Sequence, residues 1–68
     1  MATHLLTPRE RQIFEMLIKN EDTYLIASKL NISEKTVRNH ISNVIQKLGV
    51  KGRACAVIEL IKLNEITL

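Results

Sequence analysis

Apolar residues recur at helical spacing in four stretches of this chain, and three short polar breaks separate them. In the first stretch Ile13, Phe14, Leu17 and Ile18 share one face, and it opens on Thr7-Pro8-Arg9-Glu10. Threonine caps a helix, proline suits its first position, and a glutamate three residues after the threonine completes a capping box. This helix is predicted over about residues 8–19, ending at Asn20-Glu21-Asp22. The second, over about 24–30, follows Thr23 as its expected cap and turns Ile26, Ala27 and Leu30 inward. At that length packing rather than propensity must hold it. Asn31-Ile32-Ser33 is a tight connection, and its apolar Ile32 is expected to plug the gap between the flanking helices. Ser33 caps a third helix over about 34–48, and Gly49 follows in the left-handed position that ends many helices. The fourth spans about 53–63, with Gly52 near its start, Asn64 near its end, and Ile66 and Leu68 expected to fold back on the body. The pattern predicts an all-α fold, four helices in a single domain over residues 1–68, without internal repeats or low-complexity segments.

The third helix separates two kinds of side chain. At 100° per residue Val37, Ile41, Val44, Ile45 and Leu48 form one stripe, the expected core face. Lys35, Arg38, Asn39, Ser42 and Gln46 gather opposite, flanked by Thr36, His40, Asn43 and Lys47. This outer arc holds no acidic residue, Glu34 lying at the first turn, and the i,i+4 Glu–Lys mixture of a merely solvated helix is not read along it. The residue types suit duplex DNA. Arginine can bond guanine O6 and N7 together, and asparagine or glutamine can do the same for adenine N6 and N7. Serine and threonine bond bases or phosphates, and lysine neutralises phosphate. A short helix, a three-residue turn and a longer polar-faced helix form a helix-turn-helix unit, although any two amphipathic helices can imitate one.

Charge sharpens this reading. The chain carries +3 overall, yet residues 33–53 hold Lys35, Arg38, Lys47, Lys51 and Arg53 against Glu34 alone. A basic block in a near-neutral body fits a polyanion partner; a solvated helix surface would look the same on charge alone. Composition removes other classes. With 68 residues there is one domain at most, and 46% apolar content is too high for a disordered tail. Phe14 and Tyr24, the only aromatics, read as core and surface, and they are too few for a single-stranded nucleic-acid platform. No apolar run approaches the roughly 18 residues of a membrane span, and the N-terminus lacks the apolar stretch of a signal peptide. Cys55, the lone cysteine, excludes an internal disulfide and a cysteine zinc site and reads as a small apolar residue. His4 and His40 stand 36 residues apart without a ligand pattern, so no metal site is expected. No nucleophile–base–acid set or glycine-rich phosphate loop is present, so neither catalytic residues, nor a cofactor, nor a small-molecule ligand is expected. The expected compartment is the cytoplasm.

Several short motifs then carry a family resemblance. Leu6-Thr7-Pro8-Arg9-Glu10 resembles the opening of LuxR-type helix-turn-helix domains. Ile26-Ala27 through Leu30, and Ile32-Ser33-Glu34-Lys35-Thr36-Val37, are similar to that family's central stretch. His40, Lys47-Leu48-Gly49-Val50, Arg53 and Ala56-Val57 continue the match, which runs over about residues 5–63. The resemblance implies a bacterial transcription regulator, or the DNA-binding domain of one, whose third helix enters the major groove and whose fourth mediates dimerisation. It places base contacts on Arg38, Asn39 and Ser42, and backbone contacts near Lys35, Thr36, Asn43 and Lys47. The implied partners are double-stranded DNA, a second copy of the chain and RNA polymerase. Two residues depart from the family pattern. Leu25 stands where a glutamate is usual, exposing an apolar group or burying one, and Gly52 stands where a serine or threonine cap is common.

The fourth helix has more apolar surface than a one-sided helix needs. Ala56, Val57 and Leu60, with Leu63 at the end, form the arc that resembles the family's core side. Ala54, Ile58 and Ile61 lie on a second arc, flanked by Cys55 and Lys62. This arc is read either as a dimerisation face or as a lid in which Ile58 and Ile61 close over the monomer core. Lys51 and Arg53 are read as phosphate contacts, or Arg53 as a residue that bonds local carbonyls. His40 reads as a packing residue or a single phosphate contact. The rival to the DNA reading is a protein-interaction module, an adaptor or anti-regulator on the same fold.

Overall fold

The computed structural model describes residues 5–67; His4 and Leu68 lie outside them. Four helices follow in order: α1 Pro8–Ile18, α2 Thr23–Leu30, α3 Glu34–Leu48 and α4 Arg53–Lys62. No strand occurs among the described residues. α3 packs against each of the other three and forms the centre of the domain. Its Val37, Ile41 and Val44 meet Ile13 and Phe14 of α1, Ile26 and Ala27 of α2, and Ala56 and Leu60 of α4 in one buried cluster. Leu6 and Ile66 close this core from the two ends of the chain, so the expected return of the C-terminal segment is realised at Ile66. Ile32 and Leu30 are half-buried against the cluster, as the turn and the short helix required. Phe14 is fully buried, whereas Tyr24 is 70% exposed.

Local chemistry sets the helix boundaries. Thr7 Oγ1 accepts the Glu10 amide at 3.1 Å, and Glu10 Oε1 accepts the Thr7 amide at 3.0 Å, closing the capping box. At α3 Ser33 Oγ accepts the Thr36 amide at 3.1 Å. One cap differs from expectation. Asp22, not Thr23, caps α2, its Oδ1 accepting the Leu25 amide at 2.8 Å. A carboxylate at that position also meets the positive end of the helix dipole. Thr23 becomes the first helical residue, and its hydroxyl bonds Glu34 across the turn. Gly52 starts α4 with an extended backbone and no side-chain cap.

All four helices end in the same way. The amides of Glu21, Ile32, Val50 and Glu65 each donate to the carbonyl five residues back, on Met16, Ala27, Ile45 and Leu60. That closure needs a left-handed residue just before the donor, which Asn20, Asn31, Gly49 and Asn64 supply. Asparagine tolerates this conformation better than other side-chain-bearing residues. The chain ends are clasped as well. Glu65 Oε1 pairs with Arg11 at 3.1 Å and its Oε2 accepts the Leu5 amide at 3.3 Å, while the Arg11 guanidinium also donates to the Glu65 carbonyl.

Thr7→Ala is expected to destabilise the domain by about 1 kcal/mol, a typical cap loss. Alanine keeps the backbone amide that holds Glu10, so the change isolates the hydroxyl. In a domain of this size the melting temperature should fall by about 4–8 °C. An unchanged melting temperature would remove the cap from the account.

Candidate nucleic-acid interface

Burial of Val37, Ile41 and Val44, with Ile45 and Leu48 half-buried, leaves the opposite side of α3 in solvent. Lys35, Arg38, Asn39, Ser42, Asn43 and Gln46 are all exposed, and Thr36 and His40 are half-buried at the edges. Among the described residues nothing hydrogen-bonds the side chains of Lys35, Asn39, Ser42, Asn43 or Gln46. A row of polar groups therefore stands on a helix fixed at its cap, along its core face and at its glycine end. The Thr36 hydroxyl shares a 2.9 Å hydrogen bond with the Ser33 hydroxyl, which keeps it at the first turn.

Two cations on this helix have partners within the domain. Arg38 donates to Glu34 Oε2 at 3.1 Å, an i,i+4 ion pair. The outer arc thus does border an acidic residue, correcting the expectation that such a pairing is missing here. Lys47 departs further. Its Nζ lies 2.6 Å from Glu10 Oε1 and 3.0 Å from the Leu5 carbonyl oxygen. Glu10 is 4% exposed, the one buried charged residue among those described. Two of the three ammonium donors of Lys47 thereby join α3 to the start of α1.

Opposing effects act on the Glu10 carboxyl. Burial raises its pKa; the Lys47 hydrogen bond, the Thr7 amide, and the charges of Lys47 and His40 lower it. The lowering effects win, and the carboxyl titrates below the ordinary glutamate value. Glu10 therefore stays ionised as the counter-charge of Lys47 at neutral pH. His40 stands near enough to this pair for its charge to be felt there, at the margin between the outer arc and the body.

On α4 the two predicted arcs are told apart by exposure. Ala56 and Leu60 are fully buried and Val57 half-buried, whereas Leu63 is 51% exposed. Ala54, Cys55 and Lys62 are exposed, and Ile58 is 55% exposed. Ile61 is half-buried and packs on the core, so the lid reading describes Ile61 and does not describe Ile58. A groove runs beside this arc, lined by the apolar Leu17, Ala54, Val57 and Ile58 and by the polar Asn20, Glu21, Asp22 and Arg53. Arg53 makes no carbonyl contact among the described residues. Leu25 is 40% exposed, so the departure at that position exposes an apolar group. Among the described residues no cluster of metal-ligating side chains occurs, and no helix is long and apolar enough to cross a membrane.

Comparison with known proteins agrees with this geometry. Residues 4–60 match the family described as bacterial regulatory proteins, luxR family. The chain is 62% identical to the spore germination protein GerE of Bacillus subtilis over 64 residues, covering 94% of this chain and 86% of that protein. It is 44% identical to the transcriptional regulatory protein DegU of Brevibacillus brevis over 59 residues, covering 87% of this chain but only 25% of that longer protein. The solved structure of the transcription factor GerE superposes with a TM-score of 0.93 at 57% identity, covering 96% of this chain and 97% of that one. The response regulator ChrA of a heme-sensing two-component system superposes with a TM-score of 0.85 at 32% identity, over 97% of this chain and 33% of that one.

Proposed function

The chain belongs to the luxR family of bacterial regulatory proteins and is a DNA-binding transcription regulator, and from that premise we propose that it reads duplex DNA with α3 in the major groove. Arg38, Asn39 and Ser42 meet base edges, and Lys35, Thr36 and Asn43 meet the sugar–phosphate backbone. The observation that carries this reading is the exposed polar row of α3, unpartnered except for Arg38, on a helix that is otherwise immobilised. Its 15 residues span about 22 Å, and the major groove, about 12 Å wide, admits such a helix. The backbone that presents these groups is already ordered, so binding costs no folding of the helix. Lys47 sits at the edge of this surface as one half of a neutral pair, so Lys35 is the stronger phosphate contact.

The same reading includes a second copy of the chain. Ala54, Cys55, Ile58 and Lys62, with Ile61 at the margin, form the α4 face through which two domains pair. The exposed Ile58 and the adjoining groove support this, since each copy offers both a knob and a place for one. RNA polymerase is the partner that a promoter-bound regulator would meet. The interaction-module reading is not favoured, because the relatives are regulators of transcription.

Selection of bound duplexes from a random pool, followed by titration, tests the assignment. Arg38→Ala is expected to cost about 1–3 kcal/mol on the selected site and to relax preference at one base pair. If Arg38→Ala bound as tightly and as selectively as the parent, α3 would not be reading bases through this residue.

A further inference from the structure

We propose that Glu34 is a specificity-determining residue that acts by positioning Arg38, an inference that rests on Arg38 reading a base. Glu34 Oε2 accepts two hydrogen bonds, from Arg38 at 3.1 Å and from Thr23 Oγ1 at 3.1 Å. An exposed i,i+4 ion pair alone would fix little, because both side chains remain free to move. Here the carboxylate is tied to the first residue of α2 by the half-buried Thr23, and the ionic contact stands on a fixed base. The guanidinium carries five donors in a rigid fork. One can stay on Glu34 while two others meet guanine O6 and N7, so the arginine arrives at the groove already oriented.

The same anion acts against the wrong DNA. A phosphate that claims Arg38 must compete with Glu34, and the carboxylate repels phosphate directly. Arbitrary sequence offers the protein mainly phosphate contacts. A guanine at the right step offers a bidentate partner that the positioned guanidinium can accept without leaving Glu34. Glu34 thus lowers affinity for arbitrary DNA while raising discrimination, and it touches no base itself. Thr23 shares in this effect through its hydroxyl, without contributing charge.

The test titrates a selected duplex, its single-base variants and a scrambled duplex with the parent, Glu34→Gln, Thr23→Val and Arg38→Ala. With Glu34→Gln, preference at the base pair read by Arg38 should fall about five- to tenfold, part of what a bidentate arginine contact provides. Affinity for the scrambled duplex should rise about threefold, since a negative charge near phosphate is gone. Thr23→Val should lower the same base preference by a smaller factor and leave scrambled binding unchanged, because net charge is unaltered. Melting temperatures should stay within a few degrees of the parent. If Glu34→Gln raised both affinities equally, with preference intact, only its charge would matter and the positioning role would be wrong. Loss of both affinities with a lowered melting temperature would likewise overturn it. An Arg38→Ala protein with unchanged base preference would remove the reading on which the inference rests. A preference lost in Arg38→Ala but unmoved in Glu34→Gln and Thr23→Val would remove this inference alone.

Discussion

Replacing Lys47 by methionine is expected to destabilise the domain by about 2–3 kcal/mol, more than removing a surface cation would cost. Methionine keeps most of the aliphatic stem, so the change isolates the ammonium. What remains is the Glu10 carboxylate, 4% exposed and without its cation. Removing one partner of a buried pair commonly costs about 3–5 kcal/mol, and the partly exposed Lys47 side chain brings the expected cost to the bottom of that range or just below it. A domain of 68 residues has only about 3–10 kcal/mol in total. Thermal unfolding should therefore fall by about 10–20 °C. The Leu5 carbonyl also loses a donor, which loosens the start of α1 from the end of α3.

The acid dependence separates this account from a role in phosphate contact. In the parent the Glu10 pKa is lowered on folding, so its contribution is present above the unfolded glutamate value, about 4.3, and is lost as pH falls through the folded value. In Lys47→Met the strongest remaining influence is burial, which raises the pKa. Without the Lys47 hydrogen bond and charge the lowering is weaker, so ionised Glu10 stabilises the variant less and protonation costs it less than it costs the parent. The stability gap between parent and variant should be widest near neutral pH and should narrow towards pH 4. Adding Glu10→Gln to Lys47→Met should recover much of the loss, since the amide oxygen can still accept from Thr7 without leaving a charge buried. A phosphate role would appear differently: an unchanged melting curve, weaker binding to every sequence and a flatter salt dependence.

Periodic features of the fold were legible because each depends on neighbours a few residues away. Thr7 with Glu10, Ser33 before α3 and Gly49 after it are local signals, and the structure realises each of them. The polar row of α3 follows from the 3.6-residue period alone, once Val37, Ile41 and Val44 are taken as core. The α2 cap was not legible, since Asp22 and Thr23 are adjacent and both can cap. The structure gives the cap to Asp22, while the Thr23 hydroxyl donates to Glu34, eleven positions along the chain. The Glu10–Lys47 pair spans 37 positions, and nothing in a helical pattern links them. One signal was available. Glu10 lies three and four residues before Ile13 and Phe14, on the face those residues bury, and a carboxylate placed there needs a cation. The Glu34–Arg38 spacing was equally readable, but not the Thr23 contact that gives it more than surface value.

Ile58→Glu is expected to abolish cooperative binding to a full site while leaving half-site binding intact. The argument starts from exposure: Ile58 is 55% exposed and Ile61 is packed on the core, so the charge enters solvent rather than the monomer interior. Melting temperature should stay near the parent value. Covering the exposed part of one isoleucine is worth about 1–1.5 kcal/mol, half of full burial. A two-fold axis counts that contact twice, giving about 2–3 kcal/mol of coupling, or about 30- to 150-fold in affinity. Glutamates facing each other across the axis would add repulsion. Two α3 helices held this way would lie about one DNA turn apart, roughly 34 Å, so a selected full site should contain two related half-sites in inverted order. Sedimentation of the free domain is an insufficient measure, because a face this small can pair on DNA alone. Titration of a half-site and a full site with both proteins is the decisive comparison. Equal losses on the two sites, with a lower melting temperature, would place Ile58 in the monomer core. Equal binding by parent and variant on both sites would move the dimer face away from α4.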